Sequence, residues 1–456
     1  FSGKIFSLRW LTSFYNLGLY FDIITGMKKK IFLLVTVFLT LVMTPMLSVV
    51  NADQTFDVKA KAAIAVDADS GKILYSKNAD TPMGIASITK IMTIYMTLDA
   101  IKKGTLHWDD KVKMSDYAFN LTQNPEASNI AVKDKNEAFT VKDLFNAALI
   151  QSANSAAITL AEKIGGTEPK FVDQMKTQLA YWGIKDAKLV NASGLNNSVL
   201  DENIYPGSSK TDENELSAKD VAIISKHLIN DFPDVLDTSK KATETFDAHG
   251  GSEQPLTSYN YMLPGLAAGR PGVDGLKTGT TAFAGACFVA TTVQNNFRII
   301  TVVLNADNAD NDSNARFQAT GELMNHIYGT WQLQTLATKG IKIDDHNAPS
   351  KLSVLDGQSK QVTLLPDTDL SAVVPMAAND TITSLTYNKK DDDTVTAPIK
   401  KNQKLVQATF QIRDKLGYLP GLDGKKFYLT ATKEVPKSNA VKVMWNHFVR
   451  FVNEKL

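Results

Sequence analysis

The stretch Ser87-Ile88-Thr89-Lys90 opens a run of apolar residues at helical spacing that reaches Lys103 and is closed by Gly104. We predict a helix here, with Ser87 and Lys90 one turn apart on the same face. A serine hydroxyl is a weak nucleophile until a base removes its proton. A lysine can be that base when burial and nearby cations lower its pKa. Taken alone, the pattern is common by chance, and an N-cap serine beside a solvated lysine is the simpler explanation.

Two further short motifs follow along the chain. Ser152-Ala153-Asn154 lies at a predicted break between two helices, where serine and asparagine are common turn residues. Lys277-Thr278-Gly279-Thr280 lies on a predicted strand, and its glycine would let another backbone or a ligand approach closely. Its lysine and hydroxyl groups can receive a carboxylate. Ordinary turn chemistry and an exposed edge-strand lysine are the alternative explanations of the two motifs.

The order of the three motifs is more specific than any one of them. Their first residues stand at positions 87, 152 and 277, so the intervals are 65 and 125 residues. In this order the chain resembles the penicillin-binding proteins and serine β-lactamases, most of all the low-molecular-weight, serine-type D-alanyl-D-alanine carboxypeptidases. The resemblance covers residues 55–330 and includes Val273-Asp274-Gly275-Leu276 before the lysine motif and Ala284-Gly285 after it.

The same region supports a fold assignment. Strands are predicted from Ala62 to Ser76 and again from Leu276 to Leu304, with helices between them. This order indicates a sheet assembled from strands at both ends of the region. The resemblance implies a mixed α/β (α+β) domain of the DD-peptidase and β-lactamase type, with an antiparallel sheet that carries helices on both faces. We assign residues 53–332 to this catalytic domain.

The C-terminal part has a different pattern. Short alternating runs separated by Asp, Gly, Pro and Asn predict a small all-β domain at residues 335–435. Residues 438–456 predict an amphipathic helix, whose apolar stripe is Val441, Met444, Trp445, Phe448, Phe451 and Val452. A stripe rich in Trp and Phe with cations beside it is typical of a helix that lies on a membrane surface. A helix packed on the β domain is the alternative.

The first 52 residues indicate export. Residues 27–52 have the charged, apolar and small-residue order of a signal peptide, with cleavage expected after Ala52. An uncleaved membrane anchor is the alternative. Residues 1–26 begin with Phe1 and do not fit a signal, so we expect upstream, non-native sequence and a natural start at Met27. The protein is then expected to be extracytoplasmic, on the outer face of the cell membrane.

The resemblance implies a role for each catalytic residue. Ser87 would attack the carbonyl between two D-alanines of a peptidoglycan stem peptide and become an acyl-ester, with Lys90 as general base. Ser152 would relay the proton to the leaving D-alanine, and Asn154 would orient Lys90 and the substrate amide. Water would then hydrolyse the ester, and β-lactam antibiotics would acylate the same serine. Neither a cofactor nor a metal is implied.

Substrate binding is implied for the third motif. Lys277, Thr278, Gly279 and Thr280 would hold the terminal carboxylate, and the backbone N–H groups of Ser87 and Thr280 would form the oxyanion hole. Some relatives carry an arginine just after the strand that follows Lys-Thr-Gly, as an extra carboxylate anchor. Here that stretch is Asn305-Ala306-Asp307-Asn308. We therefore expect Lys277 and the threonines alone to bind the carboxylate.

Three alternatives remain open from the sequence. A class A β-lactamase would have Ser-Asp-Asn in the second motif and a Glu-x-x-Leu-Asn glutamate for deacylation. The nearest string, Glu213-Asn214-Glu215-Leu216-Ser217, ends in a serine that we interpret as a helix N-cap. An inactive wall-binding scaffold is opposed by the intact motifs. Transpeptidation shares the acyl-enzyme with hydrolysis, and the sequence does not separate the two.

Composition excludes several other classes. Lys plus Arg total 49 and Asp plus Glu total 48, which gives no electrostatic case for nucleic-acid binding. Cys287 is the only cysteine, so the chain can form neither an intrachain disulfide nor a cysteine-based metal site, and we expect a buried, inert thiol. The sequence contains no Gly-x-Ser-x-Gly, no His-Glu-x-x-His and no phosphate-binding glycine loop, and its six histidines lack metal spacing.

Cleavage after Ala52 predicts a mature protein that begins at Asp53. N-terminal mass spectrometry of the exported protein measures this directly. A mature chain that starts before Met27 would contradict the assignment of both N-terminal segments.

Overall fold

The structure is a computed structural model that describes residues 56–125, 127–246, 251–345, 347–377, 383–388 and 393–455. The predicted signal peptide, 27–52, and the segment before it, 1–26, lie outside the described residues. In the N-terminal part the strands are β1 (Ala60–Asp67), β2 (Ile73–Lys77), β3 (Met83–Gly84), β4 (Lys111–Lys113), β5 (Ala138–Thr140), β6 (Glu215–Leu216), β7 (Thr243–Phe246), β8 (Gln254–Thr257), β9 (Val273–Thr281), β10 (Gly285–Gln294) and β11 (Phe297–Ala306).

The central sheet combines both ends of this region, as predicted. Its order is β2-β1-β11-β10-β9, and each neighbouring pair is antiparallel. The strand β11 in the middle carries an unbroken buried run from Ile299 to Leu304. Both faces of that strand must therefore be covered, because alternate side chains of a strand point to opposite faces.

Helices supply the cover on both faces. They are α1 (Lys90–Lys102), α2 (Asp116–Leu121), α3 (Val141–Ile150), α4 (Asn154–Gly165), α5 (Glu168–Tyr181), α6 (Ala218–Asp231), α7 (Val235–Ser239) and α8 (Ala315–Thr330). Helices α6 and α8 both contact β1 and β11. The core on one face joins Ile300, Val302 and Leu304 to residues of α1, α3, α4, α5 and α6. The predicted α/β class with an antiparallel sheet and helices on both faces is confirmed.

Local capping explains where two of these helices begin. Thr140 precedes α3, and its side chain accepts a hydrogen bond from the Asp143 backbone N–H at 3.0 Å. Ser217 precedes α6 and forms a reciprocal capping box with Asp220. The prediction that Ser217 is an N-cap is confirmed, so this serine has a structural explanation within the string that most resembles a lactamase motif.

The C-terminal part is an all-β unit followed by a helix. Its elements are β12 (Trp331–Ala337), β13 (Lys351–Leu355), β14 (Gln361–Pro366), β15 (Leu370–Pro375), β16 (Thr383–Asn388), β17 (Thr394–Thr396), β18 (Lys404–Ile412), β19 (Lys425–Ala431) and α9 (Ala440–Lys455). Six strands form one sheet in the order β16-β18-β19-β14-β13-β17, and β12 pairs with β15. The boundary expected between 332 and 335 falls inside β12, which continues directly from α8.

A buried lysine joins the two parts. Lys72 is 1% exposed, and its Nζ lies 2.8 Å from Asp414 Oδ1 and donates to the Gly417 carbonyl at 2.8 Å. The Ile73 backbone N–H also donates to the Gly417 carbonyl, and the Leu419 N–H donates to the Gly71 carbonyl. The β1–β2 turn is thus held by backbone and charge contacts to the β unit. In the described part of the chain, no helix has the length and apolarity needed to cross a membrane.

Candidate active site

Ser87 lies in a 3₁₀ turn, Ala86–Thr89, immediately before α1. Neither the turn nor the helix shows a side-chain N-cap hydrogen bond at its start. Ala86 has a positive φ of 47°, and a Cβ on Gly194 would lie only 1.9 Å from the Ala86 carbonyl oxygen. This close approach, which only glycine allows, packs residue 194 against the turn that presents Ser87. The interpretation of Ser87 as a simple N-cap is therefore wrong.

Lys90 is completely buried beside Ser87. Its Nζ lies 3.0 Å from Ser87 Oγ, 2.6 Å from Asn154 Oδ1 and 2.7 Å from the Ser193 carbonyl oxygen. Burial, reinforced by the positive charge of Lys277, holds the pKa of Lys90 well below its ordinary value. A solvated lysine is thus excluded. The lowered pKa favours the neutral form of Lys90, and a neutral amine can accept a proton from a hydroxyl.

The second motif meets the first at the break between α3 and α4. Ser152 adopts a left-handed conformation, with φ of 60°, and borders the same cavity as Ser87. Asn154 begins α4 and donates from Nδ2 to the Ser128 carbonyl at 2.8 Å. This bond fixes the amide orientation, so that Asn154 Oδ1 faces Lys90.

The third motif lies on β9 at the edge of the sheet. Lys277 is buried, and burial, together with the charge of Arg316, lowers its pKa to about 7. Gly279 faces the turn of Ser87, since a Cβ there would lie 2.6 Å from the Ile85 carbonyl oxygen. The glycine therefore allows the close backbone approach that the sequence predicted.

These residues surround one cavity of about 250 Å³. Its lining comprises Ser87, Ser128, Ser152, Tyr259, Tyr261, Thr278, Gly279, Thr280, Ser313, Arg316 and Phe317. Lys90 and Asn154 lie buried directly behind Ser87. Among the residues described, no carboxylate lines this cavity, and no group of His, Cys, Asp or Glu side chains is arranged to hold a metal.

Arg316 is a second cation at the cavity that no sequence motif indicated. It lies in the first turn of α8, and its Nη1 donates to the Gly279 carbonyl at 2.8 Å and to the Cys287 carbonyl at 3.2 Å. Residues 305–308, at the end of β11 and just beyond it, contain no arginine, and the helix that follows places Arg316 at the cavity instead. Cys287 itself is buried as expected, and burial raises the pKa of its thiol to about 11.

The sequence is similar to known protein families. The profile of the D-alanyl-D-alanine carboxypeptidase family matches residues 48–308, and that of the penicillin-binding protein 5 C-terminal domain matches residues 331–437. D-alanyl-D-alanine carboxypeptidase DacC of Escherichia coli is 30% identical over 370 residues, which cover 80% of this chain and 84% of the relative. DacF of Bacillus subtilis is 28% identical over 347 residues, which cover 76% of this chain and 80% of the relative.

Solved structures are also similar. A peptidoglycan synthesis regulatory factor, PBP3 of Streptococcus pneumoniae, matches with a TM-score of 0.73 and 42% identity over 83% of this chain and all of that one. Penicillin binding protein 5 of Haemophilus influenzae matches with a TM-score of 0.63 and 25% identity, over 84% of this chain and 99% of that one. Both matches include the N-terminal and C-terminal parts together.

Replacing Lys277 by methionine should stabilise the fold in a pH-dependent way. Because the pKa of Lys277 is about 7 in the folded protein against 10.5 when unperturbed, wild-type stability falls as the pH falls from 10.5 to 7. Lys277→Met removes this cost. The variant should melt higher than the wild type by on the order of 5 °C at pH 6 and by less at pH 9, measured by differential scanning calorimetry.

Lys111→Met, at an exposed lysine on β4, is the matched control and should show the same difference from the wild type at both pH values. If the difference in melting temperature between Lys277→Met and the wild type is equal at pH 6 and pH 9, the lowered pKa of Lys277 is wrong.

Proposed function

The chain belongs to the D-alanyl-D-alanine carboxypeptidase family and is a serine carboxypeptidase; from this premise we propose that it trims the terminal D-alanine of peptidoglycan stem peptides through an acyl-enzyme on Ser87. The observation that carries the proposal is the 3.0 Å approach of the buried Lys90 amine to Ser87 Oγ. Peptidoglycan lies outside the cytoplasmic membrane, so the enzyme acts there.

Acylation follows from the positions of three groups. The neutral amine of Lys90 takes the proton of Ser87 as Oγ forms a bond to the carbonyl carbon between the two D-alanines. Collapse of the tetrahedral intermediate breaks the C–N bond and leaves an ester on Ser87. Ser152, across the cavity, passes its hydroxyl proton to the nitrogen of the departing D-alanine and takes one back from the ammonium of Lys90, so that both groups return to their starting state.

Binding and oxyanion stabilisation use the edge of β9. Thr278 and Thr280 border the cavity beside Ser87, with Lys277 buried among them. We assign the substrate carboxylate to Lys277, the two threonines and Arg316, which together offer two cations and two hydroxyl groups. The backbone N–H groups of Ser87 and Thr280 form the oxyanion hole, and such a donor typically lowers the barrier by ~3–4 kcal/mol.

Deacylation separates this enzyme from a β-lactamase. Lys90 activates the hydrolytic water for the peptide acyl-enzyme. Among the described residues, no carboxylate borders the cavity. The carboxylate of Glu213 accepts a hydrogen bond from the Thr281 hydroxyl group at 2.6 Å. With no second base beside the ester, the acyl-enzyme from a β-lactam should persist. The comparisons favour neither the lactamase alternative nor an inactive scaffold.

Ser87→Ala should abolish release of D-alanine from a peptide that ends in D-Ala-D-Ala, because it removes the nucleophile. The loss should exceed a thousandfold, since covalent and base catalysis are lost together. A coupled D-alanine assay measures the rate, and circular dichroism shows whether the fold is intact.

Ser198→Ala, at an exposed serine in a short 3₁₀ turn, is the control and should retain wild-type activity. A folded Ser87→Ala protein that still releases D-alanine at the wild-type rate would overturn the assignment of the nucleophile.

We further propose that α9 holds the enzyme on the outer face of the cell membrane. Five apolar side chains of α9 are each more than half exposed: Val441, Met444, Trp445, Phe448 and Phe451. The opposite face of α9 is hydrogen-bonded to the β unit. Asp356 accepts hydrogen bonds from His447 at 2.9 Å and from Arg450 at 3.2 Å. The helix therefore packs through its polar face and leaves the aromatic stripe to solvent. That arrangement supports interfacial binding.

The double variant Trp445→Ala, Phe448→Ala should bind vesicles of mixed neutral and anionic lipids at least about tenfold more weakly, because each ring contributes roughly 1.5–3 kcal/mol on burial. Co-sedimentation measures the bound fraction. Tyr181→Ala, at another exposed aromatic residue on α5, is the control and should bind like the wild type. Equal binding by the double variant and the wild type would show that α9 is not the membrane contact.

A further inference from the structure

We propose that Asn191 is a positioning residue that aims the Ser193 carbonyl at the amine of Lys90, and thereby points the lone pair of Lys90 at Ser87. The inference rests on the proposed function, since it concerns the geometry of the same base. It assigns a task to residues 190–195, a segment between α5 and α6 that carries no part of the three sequence motifs.

A neutral amine has two N–H groups and one lone pair. Two oxygens that can only accept hydrogen bonds lie close to Lys90 Nζ: Asn154 Oδ1 at 2.6 Å and the Ser193 carbonyl at 2.7 Å. Together they use both N–H groups, and the lone pair is left to receive the proton of Ser87 Oγ at 3.0 Å. If the Ser193 oxygen moves away, the amine can rotate and its lone pair loses that direction.

Asn191 fixes the peptide group that carries this carbonyl. Its Oδ1 accepts a hydrogen bond from the Gly194 N–H at 2.6 Å, and its Nδ2 donates to the Leu195 carbonyl at 2.8 Å. Gly194 N and Ser193 O belong to one peptide group, so Asn191 binds one edge of the group and Lys90 binds the other. Asn191 is fully buried. Its position is therefore set by the protein and not by water.

The neighbouring backbone is held on both sides. The Ala192 N–H donates to Glu168 Oε1 at 2.8 Å, and Thr93, one turn after Lys90 on α1, donates to the Ala192 carbonyl at 2.7 Å. Asn214 donates from Nδ2 to the Asn191 carbonyl at 2.9 Å. The helix that carries the base therefore also holds the segment that orients it. Such second contacts normally keep a catalytic group in its productive geometry.

The Ser193 carbonyl also acts on the charge of Lys90. Its negative end favours the ammonium form, so loss of the carbonyl should lower the pKa of Lys90 further. The titratable groups around this amine are Lys277 on β9, Arg316 on α8 beyond the cavity, and Glu168 on α5 behind Ala192. Burial brings the pKa of both Lys277 and Glu168 to about 7. Asn191→Ala removes none of these groups, which titrate in the wild type and the variant alike, so the difference between the two pH profiles reports the carbonyl.

The test is the rate of acylation by a fluorescent penicillin from pH 5 to pH 10, on folded full-length protein. For Asn191→Ala we expect the maximal acylation rate to fall by about tenfold or more. We also expect the acidic limb of the pH–rate profile to move to lower pH by about half a unit or more. Asn191→Asp keeps the acceptor for Gly194 but adds a negative charge one peptide group from the amine. Its acidic limb should therefore move to higher pH.

Asn196→Ala is the matched control, because Asn196 makes a similar turn by accepting from the Ser198 N–H at 2.9 Å. It should keep the wild-type pH profile. Should both Asn191 variants keep the wild-type acidic limb, the inference is wrong even if activity falls. If Asn191→Ala does not fold, the limb of Asn191→Asp decides alone. Failure of the proposed function is distinct, since wild-type Ser87 would then not be labelled at all.

Discussion

A buried amine without a countercharge is the constraint on which the site depends. Lys90 is completely enclosed, and in the described part of the protein its neighbours are a hydroxyl, an amide oxygen and a backbone carbonyl. A carboxylate partner would keep it protonated and useless as a base. Neutral acceptors hold it in place and leave its pKa low. Three distant segments of the chain therefore have to meet at one atom.

The cations at the cavity serve binding and base chemistry at once. Arg316 lines the cavity, and Lys277 is buried next to Thr278, which also lines it, so both can offer positive charge to the anionic end of the proposed substrate. The charge of Lys277 also lowers the pKa of Lys90, so the group that we propose for carboxylate binding also favours the unprotonated base. A bound carboxylate offsets part of that repulsion.

Much of this site could be predicted from sequence, because its motif residues act through side-chain chemistry at short spacing. Ser87, Lys90, Ser152, Asn154 and Lys277 were predicted, and the structure brings them to one place. Arg316 was missed because its position depends on where α8 begins after the connection at residues 307–314. Residues 190–195 were missed because the group of this segment that contacts Lys90 is the backbone carbonyl of Ser193, which leaves no side-chain pattern. The strand β12 was missed because it continues α8 without a turn signal.

The protonation state of Lys90 is the most direct test of the account. With ¹³C-labelled lysine, the Cε resonance of Lys90 can be assigned by its loss in Lys90→Arg and followed by NMR as the pH is varied. The account predicts that the resonance lies at the position of a neutral amine at pH 7.5. It should titrate at a much lower pH than the resonances of the exposed lysines. A Lys90 resonance that titrates together with the exposed lysines would contradict it, because an ammonium group cannot take the proton of Ser87.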